Sequence, residues 1–531
     1  MSELSAASAG AMAAPRRLDL RLGIDVGGTN TDAVVLDRSD ALLAKAKVTT
    51  SADVSSGIEA AVDAVLADGA VDRARVGHVM LGTTHATNAI LERRSLHRVG
   101  ILRLGAPAAL TIRPLLTWPQ DLVEVVSGGV ATVAGGIELD GREIVPLDTD
   151  AVRAFATSLQ GAIDAIAITS VFAPVSPRHE LAAAEVAQEA LGEGVHVSMS
   201  HELGALGILE RENSTVLNGA LLGVARDVAG SLAESLARRG LDAALYFAQN
   251  DGTLMALEHA VRFPVLTIGS GPANSIRGAA YLTGREDGIV VDVGGTSTDI
   301  GVLVNGFPRE SSQAVEIGGV RTNFRMPDIV SIAVGGGTIV RRGALGPDSV
   351  AWRIREEALA FGGSTPTLTD AALAAGRTAG IGSSTPGAVH AELLREGLAA
   401  ADLAVADAID RVKTSRAEAP LIAVGGGSVV LPETIPGASE IMRPDHHDVA
   451  NAIGAAIAKV SGSAEEVVTF QQRGHAEAVQ EISARAGAAA VAAGADPERV
   501  EVVDVEETPI TYLMEPGARI RVKAAGPLVT S

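Results

Sequence analysis

A long internal repeat constrains this chain more than any other feature. Gly23–Leu36 reads GIDVGGTNTDAVVL and Val290–Leu303 reads VVDVGGTSTDIGVL. Each copy runs through apolar residues, an Asp, an aliphatic residue, Gly-Gly-Thr, a polar residue, Thr-Asp, and apolar residues again. β-Rich runs on either side of a glycine pair predict a strand, a tight turn and a returning strand. Two copies spread over 531 residues predict two related halves and not a short-period solenoid. Helical apolar spacing marks Ser56–Ala67, Thr87–Arg94, Arg178–Leu191, Ser214–Arg239 and Ala388–Lys413. Short β-rich runs occur at Val79–Leu81, Ala165–Ile168, Val195–Met199 and Leu245–Ala248. Their alternation predicts an α/β fold. Aromatic residues make up only 2% of the chain, so its cores must be filled with Ala, Val, Leu and Ile. That suits buried parallel strands covered by helices.

The repeated turn suggests its own chemistry. Glycines at Gly27, Gly28, Gly294 and Gly295 permit positive φ and close approach by a ligand. Backbone N–H groups around such a turn form a nest that binds phosphate oxygens, with Thr29 and Thr296 adding hydroxyls. Asn30 and Ser297 either bond phosphate or satisfy the turn. Asp25 and Asp292 would repel phosphate directly but can hold Mg²⁺, chiefly through water. Asp292 or Asp299 can orient an attacking water or acceptor. Asp32 and Asp299 either brace their hairpins or touch the metal. Two such turns facing one another predict a clamp on a nucleotide's phosphates, with ATP and Mg²⁺ as cofactors. No P-loop motif is present.

Glycine also clusters at Ile422–Pro432, IAVGGGSVVLP, where Gly425, Gly426 and Gly427 would let an adenine approach the backbone. A similar cluster, SIAVGGGTIV, lies at Ser331–Val340. The small residues of Val449–Ala456, VANAIGAA, predict close helix packing. Thr83, Thr84 and Asn88 are either substrate contacts or helix-capping residues. His85 beside them is read as a structural hydrogen-bonder. His446-His447 between Asp445 and Asp448 is read as a solvated helix-start loop and not as a metal site. Glu210, Arg211 and Glu212 are read as pairing on a helix face.

Composition narrows the remaining classes. A net charge of −21 gives no basic footprint for nucleic acid. With no cysteine, disulfides, thiol nucleophiles and iron–sulfur clusters are excluded. Arg16-Arg17 is followed by charged, strand-like sequence and not by the apolar stretch of an export signal, so a cytoplasmic protein is expected. No uncharged apolar run of about 18 residues suggests a membrane span. The expected division is a disordered tail over 1–17, one half over 18–213, a second over 214–460, and a small α+β appendage over 461–531.

The order of these pieces resembles the actin, sugar-kinase and Hsp70 ATPase superfamily. There, two phosphate turns, the adenosine glycines and a small-residue connecting helix follow one another in this order. A narrower resemblance covers roughly residues 20–340. Gly82–Arg93 (GTTHATNAILER), Glu210–Leu217 (ERENSTVL), Asn250–Leu257 followed by SGPA at Ser270–Ala273, DVGGTSTDIG, and Met326–Ile339 (MPDIVSIAVGGGTI) together resemble the hydantoinase A/5-oxoprolinase family. Asp251 stands where that family commonly has Gly, and AVGGGSVVLP replaces its usual third glycine segment.

The resemblance implies duplicated actin-like ATPase domains of ribonuclease H-like topology, with a nucleotide cleft between them and the α+β appendage attached. It also implies ATP-dependent opening of a cyclic amide such as 5-oxoproline, a hydantoin or a lactam, by phosphorylation of the amide oxygen. A B-type second subunit often completes that hydrolysis, and some relatives instead carboxylate ketones. A homo-oligomer is expected as well. Two other readings stay open at this point: a sugar or small-molecule kinase, and a non-enzymatic ATPase switch.

Overall fold

The structure is a computed structural model that describes residues 18–49, 54–204, 206–311, 314–324, 326–382, 390–471, 473–510 and 515–529. The tail expected over 1–17 and the first residues of the helix expected from Ala388 lie outside these.

The chain opens with β1 (Leu20–Val26), β2 (Asn30–Leu36), β3 (Leu42–Thr49) and β4 (Val76–Thr83). A separate four-stranded parallel sheet follows, built from β5 (Val99–Ala106), β6 (Ser127–Ala134), β7 (Ala165–Ser170) and β8 (His196–Met199). The long helix Ile208–Arg238 leads to β9 (Ala244–Ala248) and β10 (Leu254–Ala256). The second half contains β11 (Gly288–Val293), β12 (Thr298–Val304) and β13 (Phe307–Pro308). After it come a hairpin of β14 (Val315–Ile317) and β15 (Val320–Thr322), the strand β16 (Ile329–Ile332), and a hairpin of β17 (Thr338–Arg341) and β18 (Ala344–Ser349). β19 (Ala419–Val424) and β20 (Ala438–Met442) complete it. Last come β21 (Val460–Thr469), β22 (Glu501–Pro509) and β23 (Gly517–Gly526).

Sheet membership does not follow the linear division. The first large sheet runs β22-β23-β21-β10-β9-β4-β1-β2-β3. β9 and β10 lie beyond residue 214, yet they extend the N-terminal sheet. The C-terminal α+β segment also joins that sheet, through the parallel pairing of Leu254 with Val460. The second large sheet runs β13-β12-β11-β19-β20, with β16 on β12.

Strand alternation puts each half in the same sandwich. On β1, Leu22 and Ile24 face outward onto Ile58 and Val62 of the helix Val54–Leu66. Gly23 faces inward, where a Cβ would strike the carbonyl of Ala452 in the helix Ala450–Ile457. On β11, Val291 and Val293 pack on Leu398 and Val405 of the outer helix Ala391–Val412, whereas Val290 meets Ile276 of the inner helix Ser270–Thr283. The two inner helices cross each other between the sheets, so the layers run helix, sheet, helix pair, sheet, helix. At that crossing a Cβ on Gly278 would overlap the Ala450 carbonyl, and one on Gly454 the Asn274 carbonyl. The small-residue run Val449–Ala456 therefore performs the packing role expected of it.

Glu210–Leu217 also finds a structural task, but inside the protein and not along a helix face. Arg103 of β5 forms a two-point ion pair with Glu212, at 2.8 and 2.6 Å, with both side chains 1% exposed. Arg211 donates to Ser200 Oγ at 2.8 Å and to the Ser170 carbonyl at 2.5 Å. These buried bonds fasten the start of the long helix to the inserted sheet.

Gly454→Ala tests the helix crossing. Alanine would gain about 1 kcal/mol in helix propensity, but a methyl group forced against backbone costs about 1–3 kcal/mol. Because the struck atom is a carbonyl and not a flexible side-chain end, the clash should win. We expect a net loss of about 1–2 kcal/mol in urea unfolding. Unchanged or increased stability would show that the helices move apart freely.

Candidate functional site

Both repeated turns are two-residue hairpin loops. Gly27 N–H donates to the Asn30 carbonyl at 3.0 Å, and Gly294 N–H to that of Ser297 at 2.9 Å. Their glycines differ from expectation in one respect: none of Gly27, Gly28, Gly294 and Gly295 has positive φ. Their contribution is access. A Cβ on Gly28 would meet nothing within 4 Å, and Gly28 is exposed. The two turns touch, since a Cβ on Gly295 would fall 2.5 Å from Thr29 Oγ1. Thr29 itself is buried.

The other glycine clusters brace the second turn. Gly336 N–H donates to the Gly294 carbonyl at 3.0 Å and Gly337 N–H to that of Gly295 at 2.7 Å. Gly427 N–H donates to the Val293 carbonyl at 2.8 Å. Gly425 holds φ +83°, and a Cβ there would run into Asp292. Gly426 is exposed. Thus Gly425–Gly427, proposed from sequence as an adenosine surface, borders the second turn, as does the cluster Gly335–Gly337.

The aspartates gather behind the turns. Register places Asp25 opposite Asp32 and Asp292 opposite Asp299. Consecutive residues of one inner helix reach both halves: Asn274 Nδ2 donates to Asp25 at 3.4 Å, and Ser275 Oγ donates to Asp292 at 2.5 Å. Asn451 Nδ2, from the other inner helix, donates to Asp25 at 2.9 Å. Lys47 Nζ lies 2.5 Å from Asp32 Oδ1 and 2.7 Å from Oδ2. Ser331 Oγ donates to Asp299.

Burial dominates the electrostatics. It pushes the Asp25 carboxyl up to about 7, aided by the nearby charge of Asp32. Asp299 is pushed up to about 6, again chiefly by burial. Asp32 and Asp292 are raised by burial too, against the opposing effects of Lys47 and Ser275 respectively. Four carboxyls are held above the ordinary carboxylate range, with the one Lys47 ammonium set against Asp32, and form a donor set with more negative than positive charge when ionised. A magnesium–nucleotide complex fits such a set. Among the described residues, no three His, Cys, Asp or Glu side chains converge as a protein-only metal cage.

The three residues offered from sequence as substrate contacts are placed unequally. Gly82 pairs with Asp25 and Thr83 with Val26 in the parallel β1–β4 ladder, so the Gly-Thr-Thr segment lies one strand from the first turn. Thr83 is buried, and its hydroxyl accepts from His85 N–H at 3.2 Å and meets His85 Nδ1. Thr84 stands at the N-cap of the helix His85–Glu92 without capping it, and donates instead to the Val26 carbonyl at 3.2 Å. Asn88 is exposed and bonds Thr84 at 3.4 Å. Burial lowers His85 to about 4, which favours its neutral form at pH 7.

His447 is held at the third glycine cluster, its carbonyl accepting from Gly425 N–H at 2.9 Å. Asp448 pairs with Lys45 at 2.8 Å. A groove of about 1510 Å³ lies apart from the turns, between the segments 173–177, 201–210 and 258–266 on one side and the C-terminal strands on the other. It is lined in part by Asn250, Asp251, Glu310, Arg521 and Lys523.

Sequence reasoning missed Asn274, Ser275, Asn451, Lys47 and Ser331. Asn274 and Ser275 directly follow the SGPA segment, and their polarity inside a small-residue helix was a usable signal. For Lys47 and Ser331 the signal was register: each lies on the strand that pairs with the returning strand of a repeat.

Among the described residues, no helix is long and apolar enough to cross a membrane. Residues 21–191 match the hydantoinase/oxoprolinase N-terminal region, and residues 211–381 match hydantoinase/oxoprolinase. The caprolactamase subunit alpha of Pseudomonas jessenii is 30% identical over 383 residues, covering 67% of this chain and 54% of its own length. The acetophenone carboxylase gamma subunit of Aromatoleum aromaticum is 28% identical over 391 residues, covering 66% of this chain and 52% of its own. This chain thus spans about half the length of those relatives. In fold, it resembles the ATP-dependent caprolactamase of Pseudomonas jessenii, with TM-score 0.70, 20% identity, and coverage of 96% of this chain and 88% of that one. A nucleotide-free acetone carboxylase structure gives TM-score 0.69 at 16% identity, with the same coverage of both chains. The fold is the duplicated actin-like ATPase fold, and the chain belongs to the hydantoinase/oxoprolinase family.

Proposed function

We propose that this chain is an ATP-dependent subunit that phosphorylates the carbonyl oxygen of a cyclic amide, such as 5-oxoproline, a hydantoin or a lactam, so that the ring can be hydrolysed. One observation carries the nucleotide part of this reading: the two Asp-Gly-Gly-Thr turns touch, and each has a buried or partly buried aspartate behind it. Gly27–Asn30 and Gly294–Ser297 offer backbone donors to phosphate oxygens, while Gly425, Gly426 and Gly427 border the adenosine side. Asp25 and Asp292 hold Mg²⁺, and Asp299 orients the acceptor. Mg²⁺ would neutralise the developing phosphate charge.

An unstrained amide is a poor electrophile. Transfer of the γ-phosphoryl group to its oxygen breaks the bond to ADP and forms a carbon–oxygen–phosphorus linkage. Water then adds to the carbon, and departure of the ring nitrogen leaves an acyl phosphate. A second water releases phosphate and the carboxylate. Thr83 and Thr84, one strand from Asp25, are the nearest of the proposed acceptor contacts.

The similarity to caprolactamase subunit alpha favours the lactam class. The similarity to ketone carboxylase subunits favours a second reading, in which the phosphorylated carbonyl belongs to a ketone and carboxylation follows. Both readings place the first step at a carbonyl oxygen. Relatives named as subunits support a second, B-type chain as partner, and assembly into a homo-oligomer and a cytoplasmic location belong to the same reading.

The deciding assay is phosphate release from Mg-ATP with 5-oxoproline, hydantoins, lactams, ketones plus bicarbonate, or sugars, each with and without the product of a neighbouring gene. Stimulation by a cyclic amide is expected. Stimulation only by a ketone with bicarbonate would select the second reading, and formation of a sugar phosphate would defeat both. Separately, Asp25→Asn should lower kcat by about 100-fold or more with an unchanged melting curve, because Asn451 can still donate to the amide oxygen and Asn274, its amide turned over, can accept from the new NH2. Turnover close to wild type would remove Asp25 from the metal site.

A further inference from the structure

The two halves share the strand–turn–strand unit, but the strand beside the returning strand differs between them. β2 pairs with β3 so that Asp32 faces Lys47, whereas β12 pairs with β16 so that Asp299 faces Ser331. The duplicated frame therefore sets a cation in one half and a hydroxyl at its counterpart.

Lys47 is not confined to its own sheet. Its ammonium lies 2.5 and 2.7 Å from the two oxygens of Asp32. From there the side chain reaches the second half: a Cβ on Gly426 would lie 3.9 Å from Lys47 Cε and 4.0 Å from Nζ. The side chain keeps 29% exposure, while that of Asp32 keeps 5%. Its charge is felt by Asp292 and Asp448 as well as Asp32. Lys45, two residues earlier on the same face of β3, is tied to Asp448.

An ammonium has three donors. One donates to Asp32 Oδ2, the ammonium also lying 2.5 Å from Oδ1 as an ion pair, which leaves donors for a ligand beside the exposed backbone of Gly426. Asp25, Asp32, Asp292 and Asp448 make this basin acidic, and a polyphosphate entering it adds several more negative charges. A single Mg²⁺ offsets only part of that charge.

Resting on the nucleotide reading above, we infer that Lys47 is a phosphate-contacting cation of the nucleotide site, and that Asp32 is the residue that positions it. Asp32 then acts through Lys47 and not as a metal ligand, and the two turns divide their work. The first turn brings a fixed positive charge to the phosphates. The second keeps Asp299 beside a neutral hydroxyl.

Calorimetric titration of the full chain with ATP, ADP and AMP, each with Mg²⁺ and without acceptor, tests this. Wild type, Lys47→Gln and the double variant Asp32→Asn/Lys47→Gln are compared, with melting curves for each. Lys47→Gln should weaken ATP and ADP about tenfold or more, since it removes a charge-assisted hydrogen bond, and AMP by less than about threefold. The double variant should stay as weak as the single one. ATP affinity of Lys47→Gln within about threefold of wild type would overturn the inference. So would restoration of ATP affinity in the double variant, because Lys47 would then serve only as the counter-ion of Asp32. Should the single variant fail to fold, the double variant decides alone, since it leaves no unpaired carboxylate buried. Failure of wild type to bind ATP would instead refute the nucleotide reading itself, so the two failures are distinguishable.

Discussion

The site depends on how closely two helices cross. Ser270–Thr283 and Ala450–Ile457 fill the space between the two large sheets, with Gly278 and Gly454 opposite backbone carbonyls. That contact sets the separation of the sheets, and hence of the turns at their ends. The same helices carry the hydrogen-bond donors of the site. Asn274 and Ser275 are neighbours in sequence yet bond Asp25 and Asp292, one aspartate from each half. Asn451 enters from the second helix. Packing and chemistry are therefore coupled: a crossing only slightly wider would lengthen the Asn274–Asp25 bond, which spans the two halves. Buried carboxyls that lose donors become still harder to ionise.

Duplication supplies the frame, and divergence supplies the chemistry. The two strand–turn–strand units keep the same register down to the facing pairs Asp25 with Asp32 and Asp292 with Asp299. What differs is the partner on the next strand, Lys47 in one case and Ser331 in the other. A cation and a hydroxyl have opposite consequences in a buried site. The ammonium works against the burial that raises Asp32, whereas Ser331 gives Asp299 a hydrogen bond without a compensating charge, and burial lifts Asp299 to about 6. Two equivalent places in the fold thus become electrostatically unequal without any change in backbone pairing.

The sequence was most legible where local pattern decides structure. Gly23–Leu36 and Val290–Leu303 form the expected hairpins, Arg178–Leu191 matches to the residue, and the small-residue helix packs as expected. Legibility failed where pairing is distant. The inclusion of β9, β10 and β21–β23 in the N-terminal sheet depends on ladders such as Leu254 with Val460, which no local period encodes. Glu210–Glu212 looked like a helix-face charge cluster because period alone does not show that Arg103 lies behind Glu212. The turn glycines were expected to supply positive φ. None has it, and the close approach also expected of them is open at Gly28, which depends on the surroundings and not on the tripeptide.

The departure from the family pattern at Asp251 has a physical account of the same distant kind. A carboxylate in place of a glycine, at the turn between β9 and β10, should be unwelcome in a buried position. Here its oxygens accept from Thr253 N–H at 2.9 Å and from Thr253 Oγ1 at 2.5 Å, and Lys523 Nζ lies 2.6 Å away. Burial works to raise Asp251, but Lys523 and the Thr253 donors outweigh it and hold the carboxyl below its ordinary value. Lys523 belongs to β23, so this pair joins the core turn to the C-terminal strands. Asp251 without Lys523 would carry the desolvation cost of an unpaired buried charge, which amounts to several kcal/mol, while Lys523 also lies 3.7 Å from Glu310. The unusual aspartate and the C-terminal segment thus form one structural unit, and the segment is a built-in edge of the ATPase sheet.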